Sequence, residues 1–88
     1  MNPNEVNAAH KSFTIIVNGR EKEWNEKTIS FKQVVILAFG TYELNDAIVY
    51  TVDYTTAEKP RRDGTMVAGD EVKVHKGMIF NVSRTDKS

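Results

Sequence analysis

One stretch of this chain carries a clear helical period: TISFKQVVILAFG, residues 28–40. Phe31, Val34, Val35, Ala38 and Phe39 fall at the spacing that gathers side chains into a single buried stripe. Both ends are specified as well. Ser30 can cap the first turn, Gln33 three residues on completes a capping box, and Ile29 ahead of the cap can staple against Val34. Gly40 supplies the left-handed residue on which such helices end. A single short helix with one apolar face has to cover a partner layer, and everything around it reads as strand.

Before the helix, Phe13, Ile15 and Val17 alternate with Thr14 and Ile16, and Asn18-Gly19 follows at once. Asn-Gly between two extended runs is a strong hairpin signal, because both residues accept the positive φ of a type I′ turn. The return strand covers residues 20–26 and is charged except for Trp24, which is expected to turn inward. After a turn rich in Asn45 and Asp46, AIVYTVDY sets Ile48, Tyr50, Val52 and Tyr54 in one phase and Val49, Thr51 and Asp53 in the other. The first phase is the core face. EKPRRDG is a loop by its proline, glycine and charge. Val72 and Val74 suggest a short strand entered through Gly69-Asp70, and Met78, Phe80 and Val82 point inward from a last strand. The order is strand, strand, helix, strand, short strand, strand: an α+β domain in which a mixed five-stranded sheet packs on one helix.

Eighty-eight residues hold one domain, whose folding hides roughly 60 to 65% of the unfolded surface. Twelve basic and twelve acidic residues cancel, so no net field draws the protein toward nucleic acid or an anionic membrane. The absence of cysteine excludes disulfides, thiolate metal sites and a cysteine nucleophile. Residues 1–11 are polar and are expected to form a flexible arm. They lack the pattern of a signal peptide, and no stretch approaches the roughly 18 apolar residues of a membrane span, so a cytoplasmic protein is expected.

The Asn-Gly hairpin, the tryptophan, the capped helix and the GMIFNV strand occur together and in order. FTIIVNGREKEWNEKTISFKQVVILAFG with GDEVKVHKGMIFNVSRTDKS thereby resembles the bacterial multiubiquitin family, and the whole order resembles the β-grasp fold of ubiquitin. The resemblance runs from about Phe13 to the last residue and covers a single unit, without the family's tandem repeats. It implies a ubiquitin-like domain over residues 12–83 and a flexible tail over residues 84–88. It further implies a protein modifier that works with ubiquitin-activating and ubiquitin-conjugating types of enzyme, and often with a processing protease.

The β-grasp arrangement puts the final strand between the first and third. Ile16, Val49 and Ile79 would then share the sheet face away from the helix as a partner-binding patch, exposed apolar clusters being common contact sites. Scattered apolar surface residues are equally ordinary. The conjugation tail would be Arg84, Thr85, Asp86, Lys87 and Ser88. It departs from the two glycines in which ubiquitin and many relatives end. Three routes stay open: an activating enzyme that admits polar side chains, trimming by a protease, or no conjugation. Adenylation needs a carboxylate on a mobile, extended segment without bulky apolar groups, and residues 83–88 fit those terms, with a reach on the order of 20 Å.

Nothing else in the chain points to chemistry. His10 and His75 have no second metal ligand at suitable spacing, and KPRR lies between acidic residues as a solvated loop without interleaved aromatics. The eight lysines, Lys22, Lys27, Lys32, Lys73 and Lys76 among them, are possible acceptors that discriminate nothing. Ser12, Ser30 and Ser83 have no recognisable histidine and acid around them, and there is no glycine-rich phosphate loop. No catalytic residue, metal or cofactor is expected. The alternative to a modifier is a non-covalent, self-assembling β-grasp interaction module, a homo-oligomer built through an exposed strand edge or through Ile16, Val49 and Ile79. A sulfur carrier, which needs a thiocarboxylate terminus, is a remote third.

Overall fold

The computed structural model describes residues 12–57 and 59–86. The expected N-terminal arm, residues 1–11, lies outside the described residues, as do Glu58, Lys87 and Ser88. Strands β1 (Phe13–Val17) and β2 (Arg20–Trp24) form the expected antiparallel hairpin, with Asn18 and Gly19 both at positive φ, 53° and 81°. Ile15 and Val17 are buried while Ile16 faces the other way. Trp24 does turn inward. It packs against the core, and its indole N–H donates to the Thr28 carbonyl at 2.8 Å.

Helix α1 (Phe31–Phe39) follows the reading from sequence closely. Ser30 Oγ accepts from the Gln33 N–H at 3.2 Å, and Gln33 Oε1 accepts from the Ser30 N–H at 2.9 Å, which closes the capping box. At the other end Gly40, at φ 81°, donates to the Ile36 carbonyl at 2.7 Å. Phe31, Val34 and Val35 are buried. Ala38 is half-buried, and Phe39 sits at the rim against the Tyr50 ring.

Strands β4 (Ile48–Thr55), β5 (Asp63–Met66) and β7 (Ile79–Asp86) complete a five-stranded sheet of order β2-β1-β7-β4-β5. β1 and β7 are parallel and the other neighbours antiparallel. With α1 on one face, this is the ubiquitin-like β-grasp, and β7 is central as expected. Ile15, Val17, Val52, Phe80 and Val82 of the sheet meet Val34 and Val35 of the helix in one buried core.

The fifth strand is not the one expected. β5 begins at the last two residues of EKPRRDG, which reads as a loop, and pairs with the second half of β4. β6 (Glu71–Lys73), which contains Val72, pairs instead with β3 (Thr28–Ser30) in a separate two-stranded ribbon. Gly64 explains the first difference. It stands opposite Tyr54, whose ring lies across it, and a Cβ there would run into that ring. The glycine that looks like a break makes room for a cross-strand aromatic. The second difference lies in Ile29, which directly precedes the cap residue Ser30 and pairs with Val72 while fully buried.

Candidate functional site

β7 does not stop where the sequence reading ends the domain. Arg84, Thr85 and Asp86 continue the strand and pair with Tyr50, Val49 and Ile48 of β4. Three of the five residues expected in the tail are therefore in the sheet, and Lys87 and Ser88 lie outside the described residues. The alternation that favours a strand is hidden here because the paired residues are polar. Arg84 and Asp86 are held by ion pairs instead of by the core.

Arg84 anchors this extension. Its Nη1 lies 2.6 Å from Glu43 Oε2, and its Nε donates to Asp86 Oδ1 at 3.2 Å. The Asp86 hydrogen bond, seconded by the charges of Glu43 and Asp86, holds the exposed guanidinium above its ordinary, already high pKa, against a smaller lowering by desolvation. The Glu43 N–H in turn donates to Tyr50 Oη at 3.1 Å, so β4, β7 and the segment after the helix are joined at one point.

The sheet narrows here. β5 pairs only with Val52, Asp53, Tyr54 and Thr55, and β1 pairs only with Ile79 and Phe80. Next to that pair, the Asn18 side chain supplies one further rung: its Nδ2 donates to the Val82 carbonyl at 3.1 Å and its Oδ1 accepts from the Val82 N–H at 2.7 Å. Beyond it, residues 48–51 and 83–86 pair only with each other among the described strands. They form a two-stranded arm with both outer edges open among the described residues.

The proposed apolar patch divides. Ile16 and Ile79 are register partners on the face away from the helix. Val49 shares that face, but it lies opposite Thr85 whereas Ile79 lies opposite Thr55, six positions along β4 and therefore about 20 Å away. The rest of the face is acidic. Strand alternation puts Glu21, Glu23, Asp53 and Asp63 on it and no lysine or arginine. Thr14 donates to Glu23 Oε2 at 2.7 Å and Thr65 to Asp53 Oδ1 at 2.9 Å.

Val49 belongs instead to a groove of about 500 Å³ beside the arm, together with Leu44, Val67, Tyr42 and Tyr50. Leu44 is 89% exposed and Val67 61%. The Tyr42 and Tyr50 rings stack at 5.4 Å, and Phe31 meets Tyr42 edge-on at 6.1 Å. Tyr42 and Leu44 carry no periodic signal, since they lie in the irregular segment between helix and strand. Among the described residues, no group of three or more His, Asp or Glu side chains is placed to hold a metal ion, and no helix is long and apolar enough to cross a membrane.

The family model for multiubiquitin matches residues 13–86, which takes in β1 through the end of the arm. Among curated proteins and among solved structures there is no significant match. With the β-grasp topology and a family match that spans nearly the whole chain, the chain belongs to the multiubiquitin family.

Proposed function

We propose that the chain is a non-catalytic, ubiquitin-like protein modifier acting in the cytoplasm. Its C-terminal segment, as it stands or after trimming by a protease, is activated by a ubiquitin-activating type of enzyme, passed to a conjugating type and joined to a target. In such a step a carboxylate oxygen attacks the ATP α-phosphate, pyrophosphate leaves, and the acyl group of the adenylate then passes to an enzyme nucleophile with release of AMP. The observation that supports the reading is the course of β7. It starts in the centre of the sheet and carries the chain out of it along an arm whose β7 residues, 83–86, have no large apolar side chain. On this reading residues 84–86 have to peel from β4 before they enter a narrow channel, and Arg84 releases Glu43 as they do.

The test combines the chain with purified activating-type and conjugating-type enzymes, ATP and labelled pyrophosphate. Chain-dependent pyrophosphate exchange is expected, with a conjugate whose junction peptide, read by tandem mass spectrometry, ends within residues 83–88. An activating enzyme that is folded and binds ATP yet shows no exchange would remove the modifier reading.

The two open edges of the arm favour a second reading, a non-covalent module that assembles by strand addition and uses no conjugation chemistry. Sedimentation over a hundredfold concentration range separates the two. A monomer throughout removes self-assembly and leaves the modifier.

A further inference from the structure

At the end of the sheet away from the arm, the loop between β4 and β5 folds against the segment that follows β6. Thr56 holds the loop shut. It is buried, its N–H donates to the Arg62 carbonyl at 2.9 Å, and its Oγ1 accepts from the Arg62 N–H at 2.8 Å. The loop ends are thus fixed, and Lys59 and Arg62 stand with His75 around a cleft of about 300 Å³. Arg62 and His75 also line an adjoining cleft of about 230 Å³ that adds Lys73 and an apolar floor of Tyr54, Val72 and Met78.

Three basic side chains therefore surround two joined clefts, and among the described residues no carboxylate lines either one. Among the described residues, Lys59, Arg62 and Lys73 make no ion pair, the salt bridges there being those of Arg84. Asp63 follows Arg62 directly, but its place opposite Thr55 puts it on the other face of the sheet. A sequence stretch that reads as a solvated loop is, in the fold, one wall of a basic site whose other wall comes from residues 72–75.

We propose that this end of the domain docks an acidic protein segment, an extended stretch that sets carboxylates against Lys59, Arg62 and Lys73 and lays an apolar side chain on Tyr54, Val72 and Met78. Charge complementarity selects the occupant, and the apolar floor beneath the cations selects a peptide over a simple anion. Nucleic acid fits less well. The chain is neutral overall and its open sheet face is acidic, so a long polyanion meets repulsion beyond the clefts. The site is independent of the fate of the C-terminal segment and needs no activating enzyme.

The test is fluorescence anisotropy with the full chain and a labelled ten-residue peptide of Glu and Asp with one central Leu, beside its Gln and Asn counterpart. The acidic peptide is expected to bind, and the uncharged one to bind more weakly. The double variant Lys59→Glu/Arg62→Glu is expected to weaken binding about tenfold, as the loss of two exposed ion pairs and the gain of two repulsions imply. Arg20→Glu/Lys32→Glu, equal in charge change but on other surfaces, is expected to leave binding within about twofold. Lys59→Gln/Arg62→Gln gives the same direction should the reversal not fold. Equal losses in the cleft and control variants, equal binding of both peptides, no binding at all, or tighter binding of a ten-nucleotide DNA strand through the same residues would each overturn the proposal.

Discussion

Asn18 does two things with one side chain. Its backbone takes the positive φ of the hairpin, and its amide stands in for the rung that β1 lacks opposite Val82. Asn18→Gly keeps the turn and removes the rung, so it separates the two roles. We expect it to cost about 1 to 3 kcal/mol, the penalty of stripping partners from a partly buried N–H and C=O. Asn18→Ala should cost about 1 kcal/mol more, through left-handed strain. Thermal denaturation followed by circular dichroism measures both, and an unchanged midpoint for Asn18→Gly would reduce Asn18 to a turn residue. The Asn-Gly dipeptide is legible as a turn from sequence, because a turn is local. The rung is not, because it joins residues 64 apart. Gly64 shows the opposite case, a residue whose local meaning misleads. Gly64→Ala would drive a methyl into the Tyr54 ring, and overpacking of this kind typically costs about 1 to 3 kcal/mol, readable in the same experiment.

The elements divide by whether their signal lies within them. The helix is legible down to its caps, since stripe, capping box and closing glycine all fall within thirteen residues of sequence. Ser30→Ala removes the acceptor for the Gln33 N–H and loosens the reciprocal bond. A loss of about 1 kcal/mol follows, or roughly 4 to 8 °C in the melting midpoint of a domain this size. A midpoint that stays put would mean that burial of Phe31, Val34 and Val35 fixes the helix start without the cap. β3 and β5 are not legible in the same way. Thr28–Ser30 reads as an entry to the helix until β6 arrives beside it, and Asp63 and Gly64 read as the end of a loop until Tyr54 covers the glycine. The polar end of β7 is hidden for a related reason. Thr85 and Asp86 become strand because β4 is long enough to pair with them, and β4 announces its length through Ile48 and Tyr50, not through its partner.

On the scale of the molecule, one core under one helix carries the stability, and the arm stands outside it. Val82 is the last buried apolar residue of β7, and none of residues 83–86 is buried. For a chain of 88 residues the total stability is on the order of 4 to 13 kcal/mol. Phe80, fully buried between helix and sheet, should remove about 3 to 5 kcal/mol of that when cut to alanine, enough to leave much of the protein unfolded at 37 °C. A chain that ends at Ser83 loses three polar rungs and the Arg84 ion pairs, which are exposed and worth little, so it should still unfold in a single transition a few degrees lower. The placement of Ile16, Val49 and Ile79 teaches the same lesson about scale: alternation assigns each residue to a face, but only the register between strands says how far apart on that face they lie. If the truncated chain folds and yet forms no conjugate with its enzymes, the arm serves conjugation and not the fold. Conjugates that form with the truncated chain at the same rate would place the reactive carboxylate at or before Ser83 and leave the arm as an edge for assembly.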